Sequence, residues 1–226
     1  MGKRQDIRNK REKKVKQQRT IVLVSVIVVS LLITAIVIYQ SQKPIGEIKI
    51  IEEKPRPETN GLTMGNPNAP IVVEEFSDFQ CVACYRFWQN FEPEFIDRYV
   101  STGDVLFKYV PFSFIGNESF QAAEAAYCAE EQGRFWDYHD MVFLNWNGEN
   151  NGNFSDRRLV AFAEAIGLEG NSFQTCLNSN RYNNEVQEGL RYGRSLGVNA
   201  TPTFSVNGEV VFGDTLFSTI DALLNK

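Results

Sequence analysis

Two of the four cysteines in this 226-residue sequence, Cys81 and Cys84, are separated only by Val82 and Ala83. Thiols one helical turn apart can open a disulfide in another molecule and close one between themselves. The flanking sequence gives them unequal positions. Residues 71–76 (Ile-Val-Val-Glu-Glu-Phe) are β-branched and aromatic, and read as a buried strand. Beyond the cysteines, Tyr85, Phe87, Trp88, Phe91, Phe95, Ile96 and Tyr99 recur at helical spacing through residue 100, with Pro93 placed to kink that helix. Cys81 thus falls at a strand-to-helix junction, where free backbone N–H groups and the helix dipole favour thiolate over thiol. Cys81 is the candidate nucleophile and Cys84 the resolving thiol.

Two other readings of the spacing stay open. Cys-x-x-Cys is half of a zinc site, but Cys128 and Cys176 lie 48 positions apart and His139 is the sole histidine. It can also be an inert disulfide, although so short a loop gains little and a helix start is an odd place for one.

Further groups converge on the same junction. Strand alternation puts Glu74 and Glu75 on opposite faces, so one of them points inward. A buried carboxylate there could carry the proton that Cys84 must lose. Lys108, the lone charge in the apolar run 105–110, is its candidate partner. Thr201-Pro202-Thr203 enters another apolar run, where proline cannot donate to a ladder and a cis loop facing the thiols would explain it.

The elements that must position these groups read in order. Residues 1–20 carry nine Lys/Arg against two acids, a charge of +7; the whole chain is −5, which leaves −12 for the rest. An acidic body argues against nucleic acid. Residues 21–39 carry no charge and span about 29 Å as a helix, close to a bilayer's hydrocarbon thickness. They read as one transmembrane anchor, with the basic tail cytoplasmic and the body outside; a cleaved signal peptide is the competing reading, although its apolar run would be shorter and followed by a small-x-small cleavage site. All four cysteines lie beyond the anchor, as an oxidising compartment allows. Residues 40–60 are rich in proline and charge and read as a linker, with a short strand at 48–51. After the strand at 105–110, helices are expected at 118–131, at 135–146, from a cap at Ser155, near Cys176 and at 183–196. Asn207-Gly208 then joins two strands as a hairpin, and Asp214 caps a last helix.

The Glu75…Cys81-Val82-Ala83-Cys84 junction, Lys108, the Thr201-Pro202 loop and the closing hairpin and helix resemble the thioredoxin fold. The helical insertion at about 118–197, with Ala126-Tyr127-Cys128-Ala129-Glu130 and Gly133-Arg134-Phe135-Trp136, is similar to the DsbA-like branch and its membrane-anchored members in Gram-positive bacteria and archaea. The resemblance covers roughly residues 61–226 and implies an α/β domain. It implies a thiol–disulfide oxidoreductase, an oxidase passing the Cys81–Cys84 disulfide to exported proteins with cysteines, reoxidised by a quinone-linked membrane partner. It also implies Glu75 as buried carboxylate, Lys108 as its partner, Thr201 and Pro202 at the substrate groove, and no metal or cofactor. An extracytoplasmic reductase or isomerase, and a non-catalytic polypeptide-binding module, are the alternatives. Two departures bear on direction: the oxidising members have proline and histidine where this chain has Val82 and Ala83, and an acid where it has Trp88. Cys128 and Cys176 read as a structural disulfide closing 49 residues, worth about 4 kcal/mol in chain entropy; a second redox pair is the rival reading.

Overall fold

The computed structural model describes residues 2–41, 44–52 and 55–225. It comprises two compact units, Met1–Gly46 and Glu47–Lys226. The first is a single helix, α1 (Gly2–Ser41), whose stretch Lys13–Tyr39 is long and apolar enough to cross a membrane and has none of its apolar window buried in protein. Residues 42–43 and 53–54 of the expected linker, and the side chains of residues 3–12, lie outside the described residues.

The second unit is built on one six-stranded sheet. In chain order its elements are β1 (Thr59–Asn60), β2 (Thr63–Met64), β3 (Ile71–Ser77), α2 (Val82–Asn90), α3 (Glu92–Phe95), β4 (Val105–Pro111), α4 (Asn117–Glu130), α5 (Phe135–Leu144), α6 (Asp156–Ala165), α7 (Gly170–Asn178), α8 (Asn183–Ser195), β5 (Thr203–Val206), β6 (Glu209–Phe212) and α9 (Leu216–Leu224). The sheet order is β1-β2-β4-β3-β5-β6, with β3 and β4 parallel and β3 and β5 antiparallel. β3 therefore lies inside the sheet, and the chain leaving its end leads into Cys81.

Each face of β3 has its own core. Glu75 faces Tyr109 on β4 and Phe204 on β5, and this side is covered by α2, where Phe87 packs on Phe204 with ring centroids 4.7 Å apart. Burying a ring of this size stabilises by about 2 kcal/mol, enough to hold α2 and its cysteines in register on the sheet. Phe76 points the other way, into a smaller cluster with Val110, Phe112, Leu190 and Val198. There α8 lies close to the sheet because Gly189 and Gly193 present no side chain; a methyl on either would collide with Pro111 O or the Phe112 ring. The helices α4 to α7 form the insertion, tied by a Cys128–Cys176 disulfide between α4 and α7 with Cα atoms 5.8 Å apart.

Four expectations need correction. The helix expected over 82–100 breaks at Phe91 (φ −123°), and Pro93 sits in the first turn of α3, where its missing N–H costs nothing; a π-helical turn, Ile96–Val100, follows. The last helix is capped by Thr215, not Asp214. A two-residue strand pair, β1 and β2, turns about Gly61 (φ +55°) at the end of the expected linker. Residues 48–51 form no strand. Instead Asn145 grips Lys49, accepting from its N–H (2.8 Å) and donating to its C=O (2.9 Å), while Ile48 and Ile51 pack on the main core.

This docked segment also brings Arg56 onto Asp140, whose other oxygen accepts from Trp88 Nε1 (2.8 Å) on α2 and faces His139 Nδ1 at 3.1 Å. Burial pushes the Asp140 carboxyl up, but His139, Arg56 and Trp88 together hold it below its ordinary value. Breaking such a buried pair from one side costs about 3 kcal/mol. Arg56→Met is therefore expected to lower the unfolding free energy in urea at pH 7 by about that amount. Because the folded pKa of Asp140 is depressed, its contribution exists above the unfolded value of about 4 and is lost below it, so the difference between variant and wild type should shrink in acid.

Candidate active site

Cys81 is the N-cap of α2, with extended backbone (φ −70°, ψ 123°). Its N–H donates to Asp78 O (2.9 Å), closing the loop from β3, and its thiol points at Thr201 O (3.3 Å). Interaction with the Cys84 thiol, then the Thr201 side-chain hydroxyl and the backbone N–H groups of Cys84 and Ala83, outweigh partial burial and bring the Cys81 thiol down from 9 to about 6. Cys84 is 1% exposed, and burial, reinforced by Cys81 and Glu75, pushes its thiol well above the ordinary range. One sulfur is thus a thiolate at neutral pH and the other a thiol.

Glu75 lies beneath them, 1% exposed, with its carboxyl raised to about 8, chiefly by burial and in lesser part by the Cys81 charge. Lys108 does not reach it. The parallel register sets Lys108 opposite Glu74, on the other face of the sheet, where its Nζ meets Glu74 Oε1 at 2.9 Å and Tyr192 OH donates to Glu74 Oε2 at 2.8 Å. The expected Glu75–Lys108 pair is therefore replaced by a group in which buried Glu74 meets the half-exposed Lys108 and Tyr192, and Glu75 stays neutral through most of the physiological range. The Thr201–Pro202 peptide is cis and its loop faces the thiols.

Two residues before Cys81 went unremarked as site residues in the sequence. Asp78 is fully buried; burial raises its carboxyl, while the N–H groups of Phe114 (2.9 Å), Gln80 (2.9 Å) and Ile115 (3.2 Å) oppose the rise. Gln80, also buried, donates to Ser119 Oγ (2.9 Å) and accepts from Asn150 N (2.6 Å), and its backbone C=O accepts from Trp146 Nε1 (2.8 Å). Together they bolt the cysteine loop to the helical insertion. The signal for them was two polar residues interspersed with Phe76 and Phe79 ahead of the cysteine. His139 lies fully buried among Phe79, Tyr109, Trp136 and Phe143, and burial lowers its pKa, so the ring is neutral. Glu92, His139 and Asp140 bring possible ligand atoms within 4.8 Å of one another, but Arg56 already places positive charge on Asp140.

The family model described as Thioredoxin matches residues 58–226. The probable disulfide bond formation protein D of Bacillus anthracis is 26% identical over 171 residues, 73% of this chain and 78% of that one. Disulfide bond formation protein D of Bacillus subtilis is 26% identical over 151 residues, 66% of this chain and 68% of that one. The crystal structure of oxidised BdbD from Bacillus subtilis superposes with a TM-score of 0.68 at 24% identity, over 76% of this chain and 97% of that one.

Two outcomes follow from this electrostatic arrangement. Iodoacetamide should alkylate reduced Cys81 with a midpoint near pH 6, and a midpoint near 9 would contradict the placement. A carboxyl raised from 4.5 to about 8 destabilises the fold progressively as pH climbs between those values, by roughly 3 kcal/mol at pH 7. Glu75→Gln should therefore be more stable than wild type at pH 7 and lose that advantage towards pH 4, as read by urea unfolding of the reduced protein.

Proposed function

We propose a direction of electron flow for this chain, which belongs to the thioredoxin family and is a thiol–disulfide oxidoreductase of the DsbA type: it donates the Cys81–Cys84 disulfide to exported proteins. The observation that carries the reading is the inequality of the two sulfurs. A Cys81 thiol near 6 instead of 9 stabilises the reduced pair at pH 7 by about 1.4 kcal/mol, equivalent to roughly 30 mV towards oxidant. The same low pKa makes Cys81 a good leaving group when the substrate's second thiol closes the new disulfide.

The apolar helix α1 serves as a single-pass anchor, with the basic residues 1–20 in the cytoplasm and the redox domain outside. Each turnover leaves the pair reduced, so a membrane oxidase linked to quinone is the partner that restores it, and the anchor keeps the two in one plane. Thr201 and Pro202 form the edge on which an extended substrate lies beside Cys81. Glu75 holds the proton that Cys84 takes up on release. The Cys128–Cys176 disulfide is structural: it joins two buried positions of the insertion, away from α2 in sequence and element.

The full chain in detergent, equilibrated with glutathione buffers at pH 7 and read by thiol trapping, tests the direction. Half-reduction of Cys81–Cys84 above about −200 mV with Cys128–Cys176 still closed is the expected result; half-reduction below about −270 mV would make the protein a reductase. Cys81→Ser should abolish transfer of disulfides to a reduced substrate, whereas a binding module would keep its activity.

A further inference from the structure

On the buried side of β3, Glu75 and Ser77 are two residues apart and so share a face, and Tyr109 stands directly opposite Glu75. Helix α2 closes this face, setting Cys84 one turn before Phe87, which packs on Phe204, Glu75's partner on β5. Glu75 Oε2, Ser77 Oγ and Tyr109 OH are all buried, and none makes a hydrogen bond among the described residues. A buried polar atom left unpaired destabilises the fold, so three beside one thiol call for a functional reason. Ser77 is the one that serves both acids. Its hydroxyl lowers the pKa of Glu75 and of Cys84, and of Tyr109 as well, so it lies close to each, yet it is committed to none.

We propose that Ser77 is the proton relay between Glu75 and Cys84, its hydroxyl taking the proton of one while giving its own to the other. The proposal rests on the disulfide-donor reading above. A hydroxyl has one rotating O–H and two lone pairs, the minimum a relay needs. A substrate thiolate attacks Cys81 Sγ, the Cys81–Cys84 bond breaks, and its electron pair goes to Cys84 Sγ. Glu75 passes its proton to Ser77 Oγ and Ser77 passes its own to Cys84 Sγ. Glu75 is left a carboxylate, Cys84 a thiol and Ser77 unchanged. The substrate's second thiolate then attacks its own bridged sulfur and releases Cys81 as thiolate, so that the substrate is oxidised and the pair reduced by two electrons.

The test is single-turnover reduction of the oxidised full chain by a synthetic dicysteine peptide, followed by stopped flow across pH 6–9. With the rate corrected for the peptide's own thiolate fraction, wild type should slow as pH rises through about 8, where Glu75 loses its proton. Ser77→Ala should be slower at pH 7 by roughly tenfold, somewhat less than general acid catalysis usually contributes, and should lose the limb near pH 8. Ser77→Thr should restore both, and Ser77→Ala with Glu75→Gln should be no slower than Glu75→Gln alone. The alkylation midpoint of Cys81 should stay where it is in Ser77→Ala. An unchanged rate and pH limb in Ser77→Ala, or losses that add in the double variant, would overturn the relay. A wild type that leaves the peptide reduced would overturn the donor reading itself, and the relay with it.

Discussion

Glu75 and Cys84 are two acids buried against each other between the sheet and α2, with no cation between them among the described residues, and the site is organised by what that burial costs. In a low-dielectric interior neither can ionise cheaply; the Cys81 charge adds to the cost at Glu75, and Cys81 and Glu75 both add to it at Cys84. Charge at the site is thereby confined to Cys81, which meets the first N–H groups of α2 and the Thr201 hydroxyl. A cation on Glu75 would undo this division, and the register of the sheet prevents it by setting Lys108 on Glu74.

The rest of the second unit holds that arrangement in place. Asp78 and Gln80 take up the backbone and side-chain groups of the loop leading to Cys81 and join it to the helical insertion. Stacking of Tyr85 on Trp146 and the Trp88–Asp140 hydrogen bond join α2 to the same block from its other side. Because Arg56 completes that second contact, the segment leading to the domain is part of its structure and not a spacer.

The features legible in the sequence were those with local causes. The hairpin is one: Asn207 and Gly208 both take positive φ, as its two-residue turn demands. The strand-to-helix junction at Cys81 and the loop at Pro202 were likewise written in short stretches. What could not be read depended on pairing between distant strands. Alternation says that Glu74 and Glu75 face opposite ways, but only the β3–β4 register decides which of them Lys108 meets. The docking of residues 47–52 depends on Asn145, 96 positions from Lys49, so proline and charge there looked like linker. Ser77 was silent for a related reason: a small polar residue at a strand end has no signature until the acids around it are placed.

On the proposed donor reading, the fold favours the reduced, thiolate-bearing pair over its disulfide. Equilibrium urea unfolding of the oxidised and reduced full-length protein at pH 7, with Cys128–Cys176 kept closed, tests it most directly. We expect the reduced form to be the more stable, by an amount on the order of 1 kcal/mol that fades as pH falls below about 6 and the Cys81 thiolate is protonated. An oxidised form that is more stable across this range would mean that the disulfide is held by the fold and not offered, and would contradict the account.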